Sequence, residues 1–213
     1  MMNAQSMATL KDGLAMMNLA ITDNKFNQLC LYIDLLEKWN VAYNLTALKD
    51  MRQMVCHHLL DSLSLTPFVP NTAKTLLDVG SGGGTPGIPL AIMRDDLAVT
   101  LVDSNSKKTA FLRQAVIELG LNNVEVISER VENIQAIQFD SIVSRAFAEL
   151  GDFVRLSSHL LSKNGVWLAM KGVYPYEEVG RLPENIMVKQ LLEVKVPFID
   201  GSRHIVEMAV KGE

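Results

Sequence analysis

The sequence predicts an α/β protein: a mostly parallel β-sheet flanked by helices, ending in an antiparallel hairpin and preceded by a helical extension. Three observations predict it. After Pro70, short apolar runs alternate with amphipathic stretches, which is the rhythm of strands and crossover helices in a parallel sheet. The first of these runs ends in an acid followed by five glycines, in "TLLDVGSGGGTPGIPLAI". The tail breaks the alternation, with two strand-like runs separated by "IDGS", a hairpin signal.

The elements follow in order. Residues 1–70 read as a helical extension and residues 71–213 as the sheet-bearing domain, packed as one globular unit. "TDNKFNQLCLYIDLLEKWNVAYN" opens with Thr22 or Asp23 as N-cap. Its apolar residues recur at Phe26, Leu29, Ile33 and Leu36, and at Leu31, Leu35 and Trp39, the spacing of a helix. Residues 51–69 give a second helix, with Val55, Leu59, Leu60 and Leu63 near one face and Pro67 as its stop. Residues 44–50, "NLTALKD", form a polar joint between them. The strands are "TLLDV", "AVTLVD", "VEVISE", "DSIVSR" and "GVWLAMK". Helices are expected over 88–94, 107–119 and 150–161, with a short piece over 131–137. Last, "VKQLLEVKVPF" and "RHIVEMAVK" pair across Asp200-Gly201.

Bulk properties narrow the class. Apolar residues make up 48% of the chain, enough for an ordinary globular core. No apolar run approaches the ~18 residues of a membrane span, and the N-terminus has no basic-then-apolar leader pattern. Cys30 and Cys56 lie far apart without CxxC spacing, which suits a reducing cytosol and argues against a disulfide framework or a zinc site. The net charge of −4 counts against holding nucleic acid by overall positive charge, though not against a local basic face. Lys107, Lys108 and Arg113 form the one basic cluster of note.

The glycine stretch is a ligand loop. Bare backbone can turn sharply and approach a ligand, and a ligand there meets loop amides and a helix N-terminus. Pro86 and Pro89 have no N–H to lose in the first helical turn. Two readings compete. Gly82-x-Gly84-x-x-Gly87 spells a dinucleotide fingerprint, with Asp103 near the expected ribose-binding position. That fingerprint normally starts directly after the strand, and counting from Gly80 puts Thr85 at its third glycine. Asp78-x-Gly80-x-Gly82-x-Gly84 fits better. An acid two residues before the first glycine is the pattern of S-adenosylmethionine binding in Rossmann-like class I methyltransferases. The cofactor carries an ammonium and a sulfonium rather than a pyrophosphate. Asp78 can hold the ammonium side, and Asp103, ending the second strand 25 residues later, can accept from both ribose hydroxyls. Either acid alone could be a turn residue; two at consecutive strand ends with glycines between point to the cofactor.

With these residues in view, "DVGSGGGTPGIPLAI", "WNVAYNLTALKD", "HHLLDSL", "SRAFAEL" and "MKG" resemble the RsmG (GidB) family. These are methyltransferases acting on guanine N7 in the 530 loop of bacterial 16S rRNA. The resemblance spans residues 23–210. It implies S-adenosylmethionine contacts at Gly80, Thr85, Val131, Glu132 and Arg145, with 16S rRNA or a precursor of the small subunit as partner. The glycine loop adds Gly82 and Gly84, and Asp78 and Asp103 hold positions expected to bind the cofactor across the wider superfamily.

The acceptor chemistry agrees. Exocyclic-amine methyltransferases generally carry an (Asp/Asn)-Pro-Pro-aromatic box after the fourth strand, where this chain has Ser144-Arg145-Ala146-Phe147. Pyrimidine C5 chemistry needs a cysteine nucleophile, and neither cysteine lies at these strand ends. Guanine N7 has an in-plane lone pair and no proton, so positioning and electrostatic fit suffice. Arg145 is the candidate catalytic residue, through donation to guanine O6, a phosphate or the cofactor carboxylate. Phe147 reads first as a core aromatic and second as a base-stacking ring. Lys171 is a strand-end lysine that either meets RNA or solvent. His57, His58 and Asp61 lack metal-site spacing; His58 and Asp61 are expected to hydrogen-bond to the "NLT" joint, where Asn44 and Thr46 serve as caps. An NAD-dependent oxidoreductase and a non-enzymatic RNA-binding or ribosome-assembly module remain as alternatives.

Overall fold

Strand β1 (Thr75–Val79) sits at the centre of a seven-stranded sheet because it is apolar on both faces; residues 76–79 are all buried. In the computed structural model, which describes residues 1–212, the strand order is β3-β2-β1-β4-β5-β7-β6. The partners are β2 (Ala98–Val102), β3 (Val124–Ile127), β4 (Phe139–Arg145) and β5 (Leu161–Lys171), all parallel in register. β6 (Ile186–Val194) and β7 (Arg203–Val210) form the antiparallel hairpin, and β7 inserts between β5 and β6. The chain reverses direction of winding at β1 and β4, so a crevice opens beyond the carboxyl ends of these strands.

Helices cover both faces: α5 (Gly87–Met93), α6 (Ser106–Leu119), α7 (Leu150–Ser157) and the short α8 (Tyr176–Gly180). The N-terminal segment supplies α1 (Ala4–Met16) and α2 (Asp23–Tyr43). Thr22 caps α2 through its side chain, and Asn44 ends it in the left-handed region, as the cap chemistry predicts. Leu10, Leu29, Ile33 and Leu36 of these helices share one apolar core with Leu76, Ile88 and Leu112. Tyr32, wholly buried, donates its hydroxyl to Gly83 O at 2.6 Å, so α2 touches the glycine loop directly. No described helix is long and apolar enough to cross a membrane.

Several expected bounds shift. Residues 51–69 are not one regular helix. A turn of α3 (Met51–Met54) widens into the π-helical segment Val55–Leu60, returns to α4 (Asp61–Leu63), and ends in a 3₁₀ turn at Thr66–Phe68. Apolar spacing cannot reveal this, because a single wide turn hardly displaces the buried stripe. The piece near residue 131 is only the 3₁₀ turn Val131–Asn133. β5 begins at Leu161 rather than at Gly165, with a register irregularity opposite Phe139 and Ser141. The hairpin connection spans residues 195–202, longer than a tight turn, because Val196 is buried in the core and Phe198 and Gly201 both take positive φ. α8 follows "VYP", where a proline had no periodic pattern behind it.

Tyr32→Phe removes only the bond to Gly83. It is expected to lower unfolding stability by about 1 kcal/mol in a denaturant titration, with an unchanged m-value because the buried surface is the same.

Candidate functional site

The site is assembled where β1 ends. Gly80, Gly82 and Gly84 have φ of 70°, 57° and 92°, a region L-side chains avoid. The loop is locked to the neighbouring strand: Gly80 N and Ser81 N both donate to Val102 O, at 2.8 and 3.0 Å. Ser81 Oγ donates to Asp78 O at 2.9 Å and accepts from Val102 N at 3.0 Å. Gly87 starts α5 so close to β1 that an added Cβ would lie 2.7 Å from Asp78 Oδ2. Its amide donates to that oxygen at 2.9 Å.

Asp78 is fully buried, and its other oxygen, Oδ1, has no hydrogen-bond partner. Burial therefore pushes its carboxyl up to about 7, opposed by the Gly87 amide and by the nearby charge of Arg145. A buried acceptor without a donor is costly, so Oδ1 is the unsatisfied polar atom of the loop. Asp103 follows β2. Its Oδ2 accepts from Gly82 N at 2.9 Å and its Oδ1 from Asn105 N at 2.8 Å, with Lys108 Nζ 3.8 Å away. Each oxygen keeps a lone pair for a ligand hydroxyl.

Two adjoining cavities share Gly80, Lys108 and Ala146 in their walls. One, of about 440 Å³, is lined by Asp103, Val131, Glu132 and Phe147. The larger, of about 570 Å³, is lined by Gly82, Thr85, His57, His58, Asp61, Arg145, Lys171 and Arg203. The structure thus gathers Gly80, Gly82, Thr85, Asp103, Val131, Glu132 and Arg145 around one divided opening. Asp78 and Gly84 lie beneath the loop and line neither cavity. Val131 is buried in the core while Glu132 is exposed.

Arg145 is the hub of the larger cavity. Its guanidinium donates to Asp61 Oδ2 at 3.0 Å, to His57 O, to His58 Nδ1 at 3.2 Å and to Thr85 Oγ1. Of its five N–H groups, only that on Nε lacks a protein acceptor in this set. Asp61, itself buried, also receives Arg203 Nε at 2.9 Å. Because Arg145 can only donate, His58 Nδ1 accepts, and the ring proton sits on Nε2, directed to Thr46 Oγ1 at 2.8 Å. Burial and then the Arg145 charge hold His58 down to about 3, so the ring is neutral. The expected link between His58 and the "NLT" joint is present; Asp61 instead reaches the two arginines.

The other weighed residues fall into place. Phe147 is half-buried, packed edge-on to Phe153 at 6.5 Å, and crowds Gly80, whose added Cβ would meet it at 2.6 Å. Lys171 Nζ donates to Ala148 O at 3.0 Å and pairs with Glu178 at 2.7 Å, so it is engaged rather than solvated. Lys107 and Arg113 are exposed, whereas Lys108 turns into both cavities. Sequence reasoning missed Tyr32, Ser81 and Arg203. Their contacts cross 51, 21 and 142 positions, and no local pattern encodes such partners.

Solved structures share this fold. A SAM-dependent methyltransferase from Aquifex aeolicus aligns with a TM-score of 0.53 at 23% identity, covering 64% of this chain and 82% of that one. The ribosomal protein L11 methylase of Lactobacillus delbrueckii aligns with a TM-score of 0.55 at 14% identity, over 78% of this chain and 90% of that one. The fold is therefore that of the class I S-adenosylmethionine-dependent methyltransferases. Residues 25–206 match the model of the family described as rRNA small subunit methyltransferase G. The protein of that name from Neisseria meningitidis serogroup B is 55% identical, over 92% of this chain and 95% of its own. Its counterpart in Chromobacterium violaceum is 54% identical, over 96% and 98%. The chain belongs to the rRNA small subunit methyltransferase G family.

The raised pKa of Asp78 has a sign that can be checked. The unfolded carboxyl ionises near 3.8 and the folded one at about 7, so without ligand this group removes stability as pH rises through that window. Asp78→Asn is expected to raise the melting temperature of the ligand-free protein at pH 8, with the gain shrinking as pH falls toward 4. Thermal unfolding at a series of pH values measures it; a constant difference would contradict the assignment.

Proposed function

We propose that this chain methylates N7 of a guanine in the 530 loop of 16S rRNA. Bound at the glycine loop, S-adenosylmethionine supplies a methyl group activated by its sulfonium. Asp78 would hold the ammonium end, through the unpartnered oxygen. Asp103 would accept from the ribose hydroxyls, and Gly80, Gly82 and Thr85 would contact the cofactor along the loop. Val131 and Glu132 would take the adenine, Glu132 as acceptor for its amine. Gly84 keeps the loop in its bend.

One observation favours an acceptor that has no proton to lose. The carboxylate in the larger cavity, Asp61, is tied to Arg145 and Arg203, and His58 has its lone pair committed to Arg145. Neither is free to act as a general base, which suits the bare lone pair of guanine N7. The residues' work is then binding, orientation and exclusion of water. Arg145 fixes Thr85 and the π-helical turn on opposite sides of the opening and keeps positive charge there. In A-form RNA, N7 lies in a groove that side chains cannot read, so the target is taken from a loop or extruded. The free thiols Cys30 and Cys56 fit work in the reducing cytoplasm, alongside the ribosomal substrate.

Incubation with methyl-labelled S-adenosylmethionine and under-modified 16S rRNA is expected to place label on a single guanine at N7. Label on an exocyclic amine, a ribose or a pyrimidine would refute the proposal. His57 is the one histidine of the larger cavity without a hydrogen-bonded side chain, so His57→Ala tests the base-free reading. It is expected to retain kcat within about threefold, whereas loss of one general base costs about 10²- to 10⁴-fold. Cofactor affinity should weaken roughly tenfold per pH unit below about 7, as Asp78 becomes protonated; calorimetry from pH 5 to 8 measures this, and Asp78→Ala should bind weakly throughout.

A further inference from the structure

Beside the larger cavity the chain displays an aromatic pair that the core does not use. After β5 ends at Lys171, the chain turns through Tyr174-Pro175-Tyr176. The two tyrosine rings lie 4.1 Å apart at 36°, and Tyr174 also meets the His204 ring edge-on at 5.4 Å. Tyr176 is nevertheless 76% exposed and Tyr174 43%. Aromatic rings gain most when buried, so a pair left in water is available to a ligand.

The pair is tied down close to the opening. Pro175, between the two tyrosines, is buried, and Tyr176 N donates to Tyr174 O at 3.1 Å. The Lys171–Glu178 ion pair, at 2.7 Å, brackets the turn. Lys171, Gly172 and Arg203 all line the larger cavity, and His204 pairs with Lys171 across the sheet. Glu177, the nearest exposed acid, is paired with Arg181 at 3.0 Å.

We propose that Tyr174 and Tyr176 form a stacking platform for an unpaired RNA base next to the methylated guanine. This rests on the rRNA reading above and specifies how the RNA is held. A target taken from a loop or extruded leaves neighbouring bases without stacking partners. A fixed aromatic step replaces that contact at little ordering cost. The chain's net charge of −4 limits what phosphate contacts can supply, which gives uncharged stacking a larger share of the affinity.

The test compares Tyr174→Ala/Tyr176→Ala with Tyr174→Phe/Tyr176→Phe, using under-modified 16S rRNA as probe. The alanine protein is expected to bind RNA about tenfold more weakly or worse and to show a raised KM for RNA. Its cofactor affinity, melting temperature and salt slope of RNA binding should match the unsubstituted protein, because no phosphate contact is lost. The phenylalanine protein should keep the affinity. Unchanged binding by the alanine protein overturns the platform, as does equal loss with phenylalanine or a flattened salt slope. Should the unsubstituted protein neither bind nor methylate rRNA, the underlying reading falls and the platform with it. Methylation by the unsubstituted protein alongside unaffected alanine variants sinks the platform alone.

Discussion

The site depends on one buried carboxylate that the protein leaves half satisfied. Asp78 is sealed under the glycine loop with a single amide donor, and its second oxygen faces none. Such a group survives in a fold only if the surroundings hold it firmly. They do so here through the left-handed bends of Gly80, Gly82 and Gly84, through Ser81 clamped to β2, and through Gly87 pressed against the carboxylate itself. The same features that make the loop expensive in isolation keep its backbone fixed around the buried carboxylate.

A second constraint joins the N-terminal helices to this loop. Arg145, at the end of β4, is gripped from the π-helical turn by His58 and the His57 carbonyl, from the start of α4 by Asp61, and from the loop by Thr85. Arg203 from β7 shares Asp61, while Thr46 from the joint after α2 closes the chain of bonds through His58. Each charge has a partner, as a partly buried network requires. Contacts from the π-helical turn, α4 and the loop meet at one guanidinium, and β7 and the joint connect through Asp61 and His58. Tyr32 adds a further tie from α2 to Gly83. The opening is shaped by the extension as well as by the sheet.

The division of the opening also has a physical logic. The smaller cavity is lined by Asp103, Glu129 and Glu132 beside Val79, Val102 and Val131, whereas the larger one presents Arg145, Arg203, Lys108 and Lys171. In a chain of net charge −4, concentrating cations there gives a local field that the overall balance hides. The basic cluster most visible in the sequence, at Lys107, Lys108 and Arg113, contributes only Lys108 to either cavity. The other cations of the larger cavity, Arg145, Lys171 and Arg203, come from strand ends far apart in the chain.

How much of this could be read without coordinates follows from which interactions are local. Alternating apolar runs, the caps at Thr22 and Asn44, the acid-glycine loop and the tail hairpin are written in neighbouring residues, because strand, helix and left-handed turn each impose a short-range pattern. They determined the sheet, its order of elements and the placing of Asp78, Gly80, Gly82, Gly84 and Asp103. The π-helical turn was invisible because one wide turn leaves the apolar stripe in place. The partners of Arg145, the roles of Ser81, Tyr32 and Arg203, and the exposed step at Tyr174 and Tyr176 were decided only by the tertiary structure. Hydrogen bonds and ring contacts between distant segments depend on where the packed core brings their ends, and no local sequence pattern specifies that.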